Sequence, residues 1–320
     1  MSSVRLVPAC APLFASFGAL MSVDAMQSQA GQPGARADFA TPRADPPAGM
    51  RVSVLRTGYI EATAAQAFAG GGRDDARRFG LYALLVEHPR GDLLIDAGAG
   101  ARVQAHRQLL PWLMRQVSTY VEGVPARAQL AAGGYDFSRL KAIVLTHAHW
   151  DHVSGADDFP DAPIWLHPDE ITFTASGHRA TRLARQMASE RLSAIGFPSG
   201  AYAGFDVSCD VWGDGSVVLV PAPGHTPGSL IAFLALPDGQ RLALLGDIVW
   251  QMEGIEREVP KPWLSRLVAD CAPTQLLALI HRLAGLRRQW PALRMLPAHD
   301  ERAMSHLPVW PERTPAGARP

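Results

Sequence analysis

Residues 144–155 read VLTHAHWDHVSG, and they carry the strongest signal in this 320-residue sequence. Three histidines and one aspartate fall within six residues, directly after an apolar run. Imidazole and carboxylate groups are good ligands for zinc and similar divalent metals. A single histidine after a strand is usually a satisfied surface residue, but four such groups on one loop would lose solvation and repel one another for no gain. The stretch therefore predicts a metal site.

The same arrangement recurs after other apolar runs. Asp96 follows LLI, His225 follows VVLVPAPG, Asp247 follows LALLG and His299 follows LRMLPA. A strand end is a rigid platform, and the loop that leaves it can direct a side chain at a fixed point. These polar residues are therefore expected to gather at one edge of the fold.

The composition limits the kinds of partner. The formal net charge is zero, whereas proteins that bind nucleic acid normally carry a basic patch or stripe, so we expect a small-molecule substrate and no nucleic acid. Only Lys141 and Lys261 are lysines among the basic residues. Cys10, Cys209 and Cys271 form neither a disulfide framework nor a cysteine-type zinc motif. A bridge between Cys209 and Cys271 stays open, with two separate buried thiols as the favoured alternative.

Composition also divides the chain. Residues 1–25 hold an apolar stretch after Arg5 and small residues for cleavage after Ala25, which resembles a secretory signal peptide. That favours a periplasmic or secreted location over a cytoplasmic one, with a disordered tail or a misassigned start as the alternative. Residues 26–50 are rich in Pro, Gly and Ala and predict a disordered linker. The folded domain is expected over 51–306, and 307–320 are expected to form a C-terminal tail.

Periodicity predicts the secondary structure. Helices are expected over 101–130, 168–196 and 273–289, the last with proline at its start. Apolar runs predict strands in two batches, listed here as sequence: RVSVLRTGYI, RFGLYALLVEH, GDLLIDAG, LKAIVLT and APIWLH, then SVVLVPA, LIAFLAL, RLALLGD and LRMLPAHD. Each batch is closed by a helix, which suggests two packed sheets with helices outside.

Taken together, the motifs match a family. THAHWDH at 146–152, GHTPGS at 224–229, GD at 246–247 and AHD at 298–300, preceded by LIDAG at 94–98, resemble the metallo-β-lactamase superfamily. The resemblance runs from about Arg51 to His306 and makes 51–306 a catalytic domain. It implies an α+β fold, a four-layer αβ/βα sandwich with a metal centre at one edge of the paired sheets.

The resemblance also assigns the metal ligands. It implies two zinc ions per subunit, with other divalent metals open, and it leaves a homodimer open. Asp247 bridges the two ions, and Asp96 is the acid that orients a ligand histidine. The remaining ligands divide into two sets: His147, His149 and His225 for the first metal, and Asp151, His152 and His299 for the second.

The implied reaction is hydrolysis of a carboxylic ester, lactone or related acyl bond by a metal-bridging hydroxide. Asp151 is expected to orient the hydroxide and pass a proton to the leaving group. A full His/Asp set without cysteine resembles the quorum-quenching lactonases. Those lactonases often carry a tyrosine three residues after the bridging aspartate, where this chain has Trp250, whose indole N–H can donate a hydrogen bond but cannot transfer a proton.

Other branches of the superfamily stay open. They are thioester hydrolysis of the glyoxalase II type, β-lactam hydrolysis, and persulfide dioxygenation at one iron, while histidine at position 149 counts against the oxygen-reducing diiron branch. Large apolar side chains in the inserts suit an acyl chain or an aromatic ester. On that ground Trp112, Trp250 and Trp263 are expected to line the substrate pocket.

Overall fold

The computed structural model describes residues 41–110, 115, 119–187 and 189–316. The expected signal peptide at 1–25, residues 26–40 of the expected linker, Trp112, and the last four residues of the expected tail lie outside the described residues. Within the described part, none of the helices combines the length and the hydropathy needed to cross a membrane.

The first sheet contains seven strands among the described residues, in the spatial order β4-β1-β2-β3-β5-β6-β7. Strands β4, β1, β2 and β3 are antiparallel neighbours, and β3, β5, β6 and β7 run parallel. The parallel strands β3 and β5 therefore end at the same edge. The bounds are Arg51–Thr63 (β1), Ala76–Glu87 (β2), Asp92–Ile95 (β3), Thr119–Glu122 (β4), Leu140–Val144 (β5), Ile164–Leu166 (β6) and Leu192–Ala194 (β7).

In the part of the chain that the structure describes, the second sheet contains five strands in the order β12-β11-β10-β9-β8. Strands β11 and β12 are parallel, and the other neighbours are antiparallel. This pairing makes β9, β11 and β12 run in one direction, so that their carboxyl ends share an edge. The bounds are Cys209–Asp210 (β8), Val217–Pro221 (β9), Leu230–Ala235 (β10), Arg241–Gly246 (β11) and Leu293–Pro297 (β12).

Most of the helices are short, and they lie between the strands in the chain. The longest described helix confirms the expectation for 273–289, with proline in its first turn. The α-helices of the described ranges are Ala64–Ala67 (α1), Val103–Arg107 (α2), Ala126–Ala132 (α3), Trp150–Val153 (α4), Pro168–Ala175 (α5), Arg182–Gln186 (α6), Glu253–Glu256 (α7), Trp263–Ala269 (α8), Pro273–Gln289 (α9) and Glu301–Met304 (α10).

Three cores show the layering. The middle core lies between the sheets and is built from inward residues of both, among them Val54, Leu84, Val144, Leu219, Leu244 and Leu296. A second core packs helices on the outer face of the first sheet, and a third packs α9 on the outer face of the second sheet. The order helix, sheet, sheet, helix confirms the predicted α+β four-layer sandwich.

Two helical expectations were wrong in part. Residues 119–122 form a strand that pairs with β1, because the backbone there completes the edge of the first sheet. The stretch 168–196 is broken into α5, α6, short 3₁₀ turns and the strand β7, which extends the parallel side of the same sheet. In both places a long-range pairing outweighs the local helical spacing.

The segments flanking the expected domain also pack onto it. In the expected linker, the amide of Asp45 donates to the carbonyl of Asp214 at 2.7 Å, and Met50 is fully buried. In the expected tail, Trp310 is buried and its amide donates to the carbonyl of Val54 at 3.0 Å. The packed unit is therefore wider at both ends than 51–306.

Candidate metal centre

The polar residues that follow the strands meet at one edge of the sandwich. Asp96 follows β3, and the segment 146–152 follows β5, its parallel neighbour. Asp247 and His299 follow β11 and β12 of the opposite sheet. The amide of Leu230 in the second sheet donates to the carbonyl of Thr146 at 2.8 Å, which ties the two sheets together at this edge.

The first histidine group has three members: His147, His149 and His225. Their ligand atoms lie within 4.8 Å of one another. Nε2 of His225 lies 3.2 Å from Nε2 of His147 and 3.0 Å from Nδ1 of His149. Three ring nitrogens thus converge on one point, two of them from a single loop.

A second group consists of Asp151, His152 and His299, again with ligand atoms within 4.8 Å. Nε2 of His299 lies 3.4 Å from Oδ2 of Asp151. His152 and His299 are buried, whereas Asp151 is half-buried. His152 also belongs to a third, overlapping group with His147 and Asp247, so the two sets of ligand atoms are adjacent.

Asp247 lies between the two groups. Its Oδ1 is 3.2 Å from Nε2 of His152 and 3.1 Å from Nε2 of His299. Its Oδ2 is 3.6 Å from Nε2 of His225 and accepts a 2.8 Å hydrogen bond from Nε1 of Trp250. One carboxylate therefore presents an oxygen to each group.

Burial and neighbouring charge set the ionisation of the two groups differently. Burial, followed by the neighbouring histidines, holds the pKa of His147 and of His149 well below the ordinary value. Burial alone would also lower the pKa of His152, but the carboxylates of Asp96 and Asp247 outweigh it and raise the pKa well above the ordinary value. The first group is thus held neutral, which is the form that binds metal.

Asp96 makes the contact expected of it. Its Oδ2 lies 2.8 Å from Nδ1 of His152, and the carboxylate also accepts from the amide and hydroxyl of Thr146 at 2.7 and 2.8 Å. Asp96 has a φ of +52°, which is strained for a residue with a side chain. These hydrogen bonds hold the strained residue so that it orients the His152 ring.

Sequence reasoning missed the partners of two other histidines. Nδ1 of His225 lies 2.8 Å from Oδ1 of Asp270, whose side chain is buried. Nδ1 of His299 donates to the carbonyl of Gly80 at 2.8 Å. Asp270 is 45 residues beyond His225, in a stretch whose sequence does not indicate a role at a metal site. The contact of His299 with the carbonyl of Gly80 cannot be predicted from sequence, because every residue carries a backbone carbonyl.

Glu170 was also missed. This buried carboxylate accepts from the amide of Ala148 at 2.8 Å and from the amide of Gly228 at 3.0 Å. Ala148 stands between His147 and His149, and Gly228 stands three residues after His225. Glu170 therefore fastens together the two loops that supply the first histidine group.

The three tryptophans expected around the substrate fall in different places. Trp250 contacts Asp247 through its indole N–H, and its ring packs 5.3 Å from that of Phe79, which sequence reasoning did not single out. Trp263 is 70% exposed in α8 and so does not line an enclosed pocket. Trp112 lies outside the described residues. No disulfide joins Cys209 to Cys271, and both side chains are half-buried rather than buried.

The sequence of the chain is similar to those of known metal-dependent hydrolases and lactonases. The chain is 30% identical to a probable metallo-hydrolase of Mycobacterium bovis over 68% of this chain and 74% of that protein. It is 25% identical to the N-acyl homoserine lactonase AttM of Azorhizobium caulinodans over 67% of this chain and 85% of that protein. Both similarities cover most of the packed unit.

Solved structures show the same architecture. An N-acyl homoserine lactone hydrolase with N-hexanoyl-L-homoserine at its catalytic metal centre superposes with a TM-score of 0.61 at 19% identity, covering 85% of this chain and 100% of that one. A dizinc quorum-quenching lactonase gives 0.54 at 16% identity, covering 88% and 95%. The profile of the metallo-beta-lactamase superfamily matches residues 77–274. These matches confirm the resemblance read from the motifs, and the chain is a hydrolase of the metallo-β-lactamase superfamily.

Proposed function

We propose that the protein is a hydrolase with two divalent metal ions, normally zinc, that opens lactones and cleaves related carboxylic esters. The observation that carries the proposal is the position of Asp247, which offers one oxygen to His225 and the other to His152 and His299. The chain is similar to an N-acyl homoserine lactonase over 67% of its length, and this similarity favours a lactone among the acyl substrates.

The chemistry of the side chains fits bound metal. Among the described residues, the buried Nε2 of His152 and Oδ1 of Asp247 lie 3.2 Å apart without forming a hydrogen bond, and neither atom has another hydrogen-bond partner. A buried polar atom without a partner is costly, and a bound ion is one of the few groups that removes the cost. In the first group three ring nitrogens converge where hydrogen bonds among them cannot satisfy all three.

Two metal positions follow from these groups. His147, His149 and His225 would hold one ion, Asp151, His152 and His299 the other, and Asp247 would contact both. Divalent ions held there would supply a water of lowered pKa and polarise the carbonyl of the substrate.

The residues of the chain have separate tasks in this scheme. The side chain of Asp151 is 14% exposed, compared with 5% for Asp247 and His299, so it is the carboxylate that an incoming water or substrate reaches. Asp151 would accept a proton from the attacking water and return it to the leaving alcohol oxygen. Asp96 keeps the His152 ring oriented, so that its Nε2 points into the site.

Trp250 does not replace the missing tyrosine as a donor to the substrate. Its N–H is already engaged by Oδ2 of Asp247 at 2.8 Å. The indole therefore orients the shared carboxylate, while its ring and that of Phe79 give the site an apolar wall. An apolar wall next to a polar reacting centre suits an acyl chain.

The test is turnover of four substrates by protein purified without added metal: an N-acyl γ-lactone, an S-acyl thioester, a cephalosporin, and a persulfide with oxygen uptake recorded. We expect the lactone to give the highest kcat/KM and Asp247→Ala to abolish turnover. Asp161→Ala is the matched control, since Asp161 is exposed and is not one of the proposed metal ligands. Preferred turnover of the thioester or cephalosporin would refute the lactone assignment, and oxygen uptake without hydrolysis would refute hydrolysis itself.

A further inference from the structure

Lys261 is a fully buried lysine beside the metal centre. It is 1% exposed and ranks among the largest fully buried side chains of the described residues. The other lysine of the chain, Lys141, is exposed on β5. A buried ammonium loses its hydration, and it is tolerated only when charge and hydrogen bonds replace the water.

Its partners supply that replacement. Nζ of Lys261 lies 2.7 Å from Oδ1 of Asp270 and donates to the backbone carbonyl of Asp247 at 2.6 Å. The carbonyl of Ile248 is the third neighbour, at 3.5 Å. The same ammonium lies 5.4 Å from the centre of the Trp250 ring, within the range of a cation–π contact.

These contacts join the supports of two proposed ligands. Oδ1 of Asp270 receives Lys261 and also faces Nδ1 of His225 at 2.8 Å. Asp247 is held by Lys261 at its main chain and by Trp250 at its side chain. A single ammonium therefore joins the carboxylate that orients His225 to the main chain of Asp247, the residue shared by both metal positions.

The helix that follows Lys261 buries few apolar side chains of its own, so it depends on the polar contacts at its base. The helix α8 begins two residues after Lys261 and ends one residue before Asp270. Four of its seven residues are large apolar side chains that point to solvent: Trp263, Leu264, Leu267 and Val268. With so little apolar burial of its own, this segment is held at its base by the ion pair between Lys261 and Asp270.

We propose that Lys261 is a positioning residue of the metal centre, which holds Asp270 against His225 and fixes the main chain at Asp247 before metal binds. The inference rests on the proposed two-metal function. Without the ammonium, Asp270 is left as a buried carboxylate with no cation, and it moves away from His225 toward water. His225 then loses the acceptor that keeps its proton on Nδ1 and its Nε2 lone pair directed at the metal.

The first experiment uses the two lysines of the native chain. With isotope-labelled lysine, the full-length protein gives one magnetic-resonance signal set from Lys261 and one from Lys141. In the metal-free protein the Lys261 ammonium protons should already exchange slowly with water, because the group is buried and held by Asp270, whereas those of Lys141 should exchange fast. Exchange at Lys261 as fast as at Lys141 would show that the contact is not in place before metal binds and would overturn the proposal. This measurement needs no variant and so does not depend on whether a variant folds.

The second experiment compares Lys261→Met with Lys141→Met, the same change at an exposed position. Zinc affinity is measured by competition with a chromophoric chelator, and the His225 tautomer is read from ring nitrogen shifts in the metal-free protein. We expect Lys261→Met to weaken one of two bound zinc ions by about 10- to 100-fold and to mix the His225 tautomers. Lys141→Met should match the wild type.

The outcomes separate this inference from the proposed function. Two zinc ions bound as tightly by Lys261→Met as by the wild type, with the His225 tautomer unchanged, would overturn the role of Lys261 and leave the two-metal site standing. A wild-type protein that binds no metal would overturn the proposed function and this inference with it. If Lys261→Met does not fold, the double variant Lys261→Met/Asp270→Asn, which removes both buried charges, should fold and still show the weakened ion.

Discussion

Replacement of Glu170 by glutamine tests how the first histidine group is assembled. The carboxylate accepts two amides, from Ala148 at 2.8 Å and from Gly228 at 3.0 Å. A glutamine has nearly the same shape, but only its oxygen can accept, so its NH₂ group must face one of the two amide donors. One of the two buried backbone N–H groups is then left without an acceptor and faces the NH₂ group of the glutamine, which is also a donor.

The magnitude follows from the opposing contributions. An orphaned buried N–H costs about 1–3 kcal/mol, and loss of a charge-assisted hydrogen bond adds about 1 kcal/mol. Burial raises the pKa of Glu170, which means that the ionised form is itself destabilised and that a neutral side chain regains part of the loss. We expect a net loss of about 2 kcal/mol in the free energy of unfolding, or about 4–8 °C in Tm.

The functional consequence should be confined to one metal. Because Ala148 separates His147 from His149 and Gly228 follows His225, release of either loop moves the first group. Chelator competition on Glu170→Gln should show one zinc ion weakened by about 10-fold or more, while the other ion stays close to its wild-type affinity.

The control is Glu312→Gln, the same change at an exposed glutamate, and it should alter neither stability nor metal binding. Thermal unfolding by circular dichroism and zinc competition are recorded on all three proteins. If Glu170→Gln unfolds like the wild type and keeps both ions, Glu170 does not fasten the loops. Selective loss of the ion at Asp151 and His152 would also refute the reasoning.

Three further changes have defined outcomes. Trp250→Phe removes the hydrogen bond from the indole N–H to Asp247. A hydrogen bond to a charged acceptor is worth about 1.5–3 kcal/mol, so kcat/KM should fall about 10- to 100-fold. An unchanged kcat/KM in steady-state kinetics would mean that this hydrogen bond does not orient the carboxylate. Trp263→Ala removes a side chain that is 70% exposed, so Tm should change by less than about 2 °C, and a large loss would show a packing role. Burial alone raises the pKa of Glu253, but the hydrogen bond from Arg302 leads the contributions that lower it from 4.5 to about 2. A carboxyl group whose pKa is lowered by folding stabilises the fold above the unfolded pKa of 4.5, and this stabilisation is lost as the pH falls toward 2. In urea titrations the difference in the free energy of unfolding between wild type and Glu253→Gln should therefore be full at pH 6 and smaller at pH 4. A difference that grows on acidification would contradict this direction of the pH dependence.

The metal-site residues could be predicted to gather because their signals are local. Asp96, Asp247 and His299 each follow an apolar strand, and the parallel pairs β3–β5 and β11–β12 bring those strand ends to one edge. The motif 146–152 adds four polar groups on one loop. The apolar runs suggested two packed sheets with helices outside, and the resemblance to the superfamily implied the four-layer sandwich.

The supporting residues could not be predicted, for a physical reason. Glu170, Lys261 and Asp270 are charged residues whose usual place is the surface, and burial is decided by contacts far along the chain. Asp270 is reached from His225 across 45 residues, and Glu170 touches Gly228 across 58. The strand β4 and the packed segments at 41–50 and 307–316 were missed for the same reason, because tertiary pairing outweighs local composition.

The most direct test of the two-metal account is the metal content of the protein, measured by plasma mass spectrometry after purification without added metal. The account predicts about two divalent ions per chain in the wild type, since Asp247 offers one oxygen to His225 and the other to His152 and His299. It predicts fewer in Asp247→Ala, with Asp161→Ala equal to the wild type. One ion per chain in the wild type, and the same in Asp247→Ala, would contradict the shared carboxylate and with it the proposed mechanism.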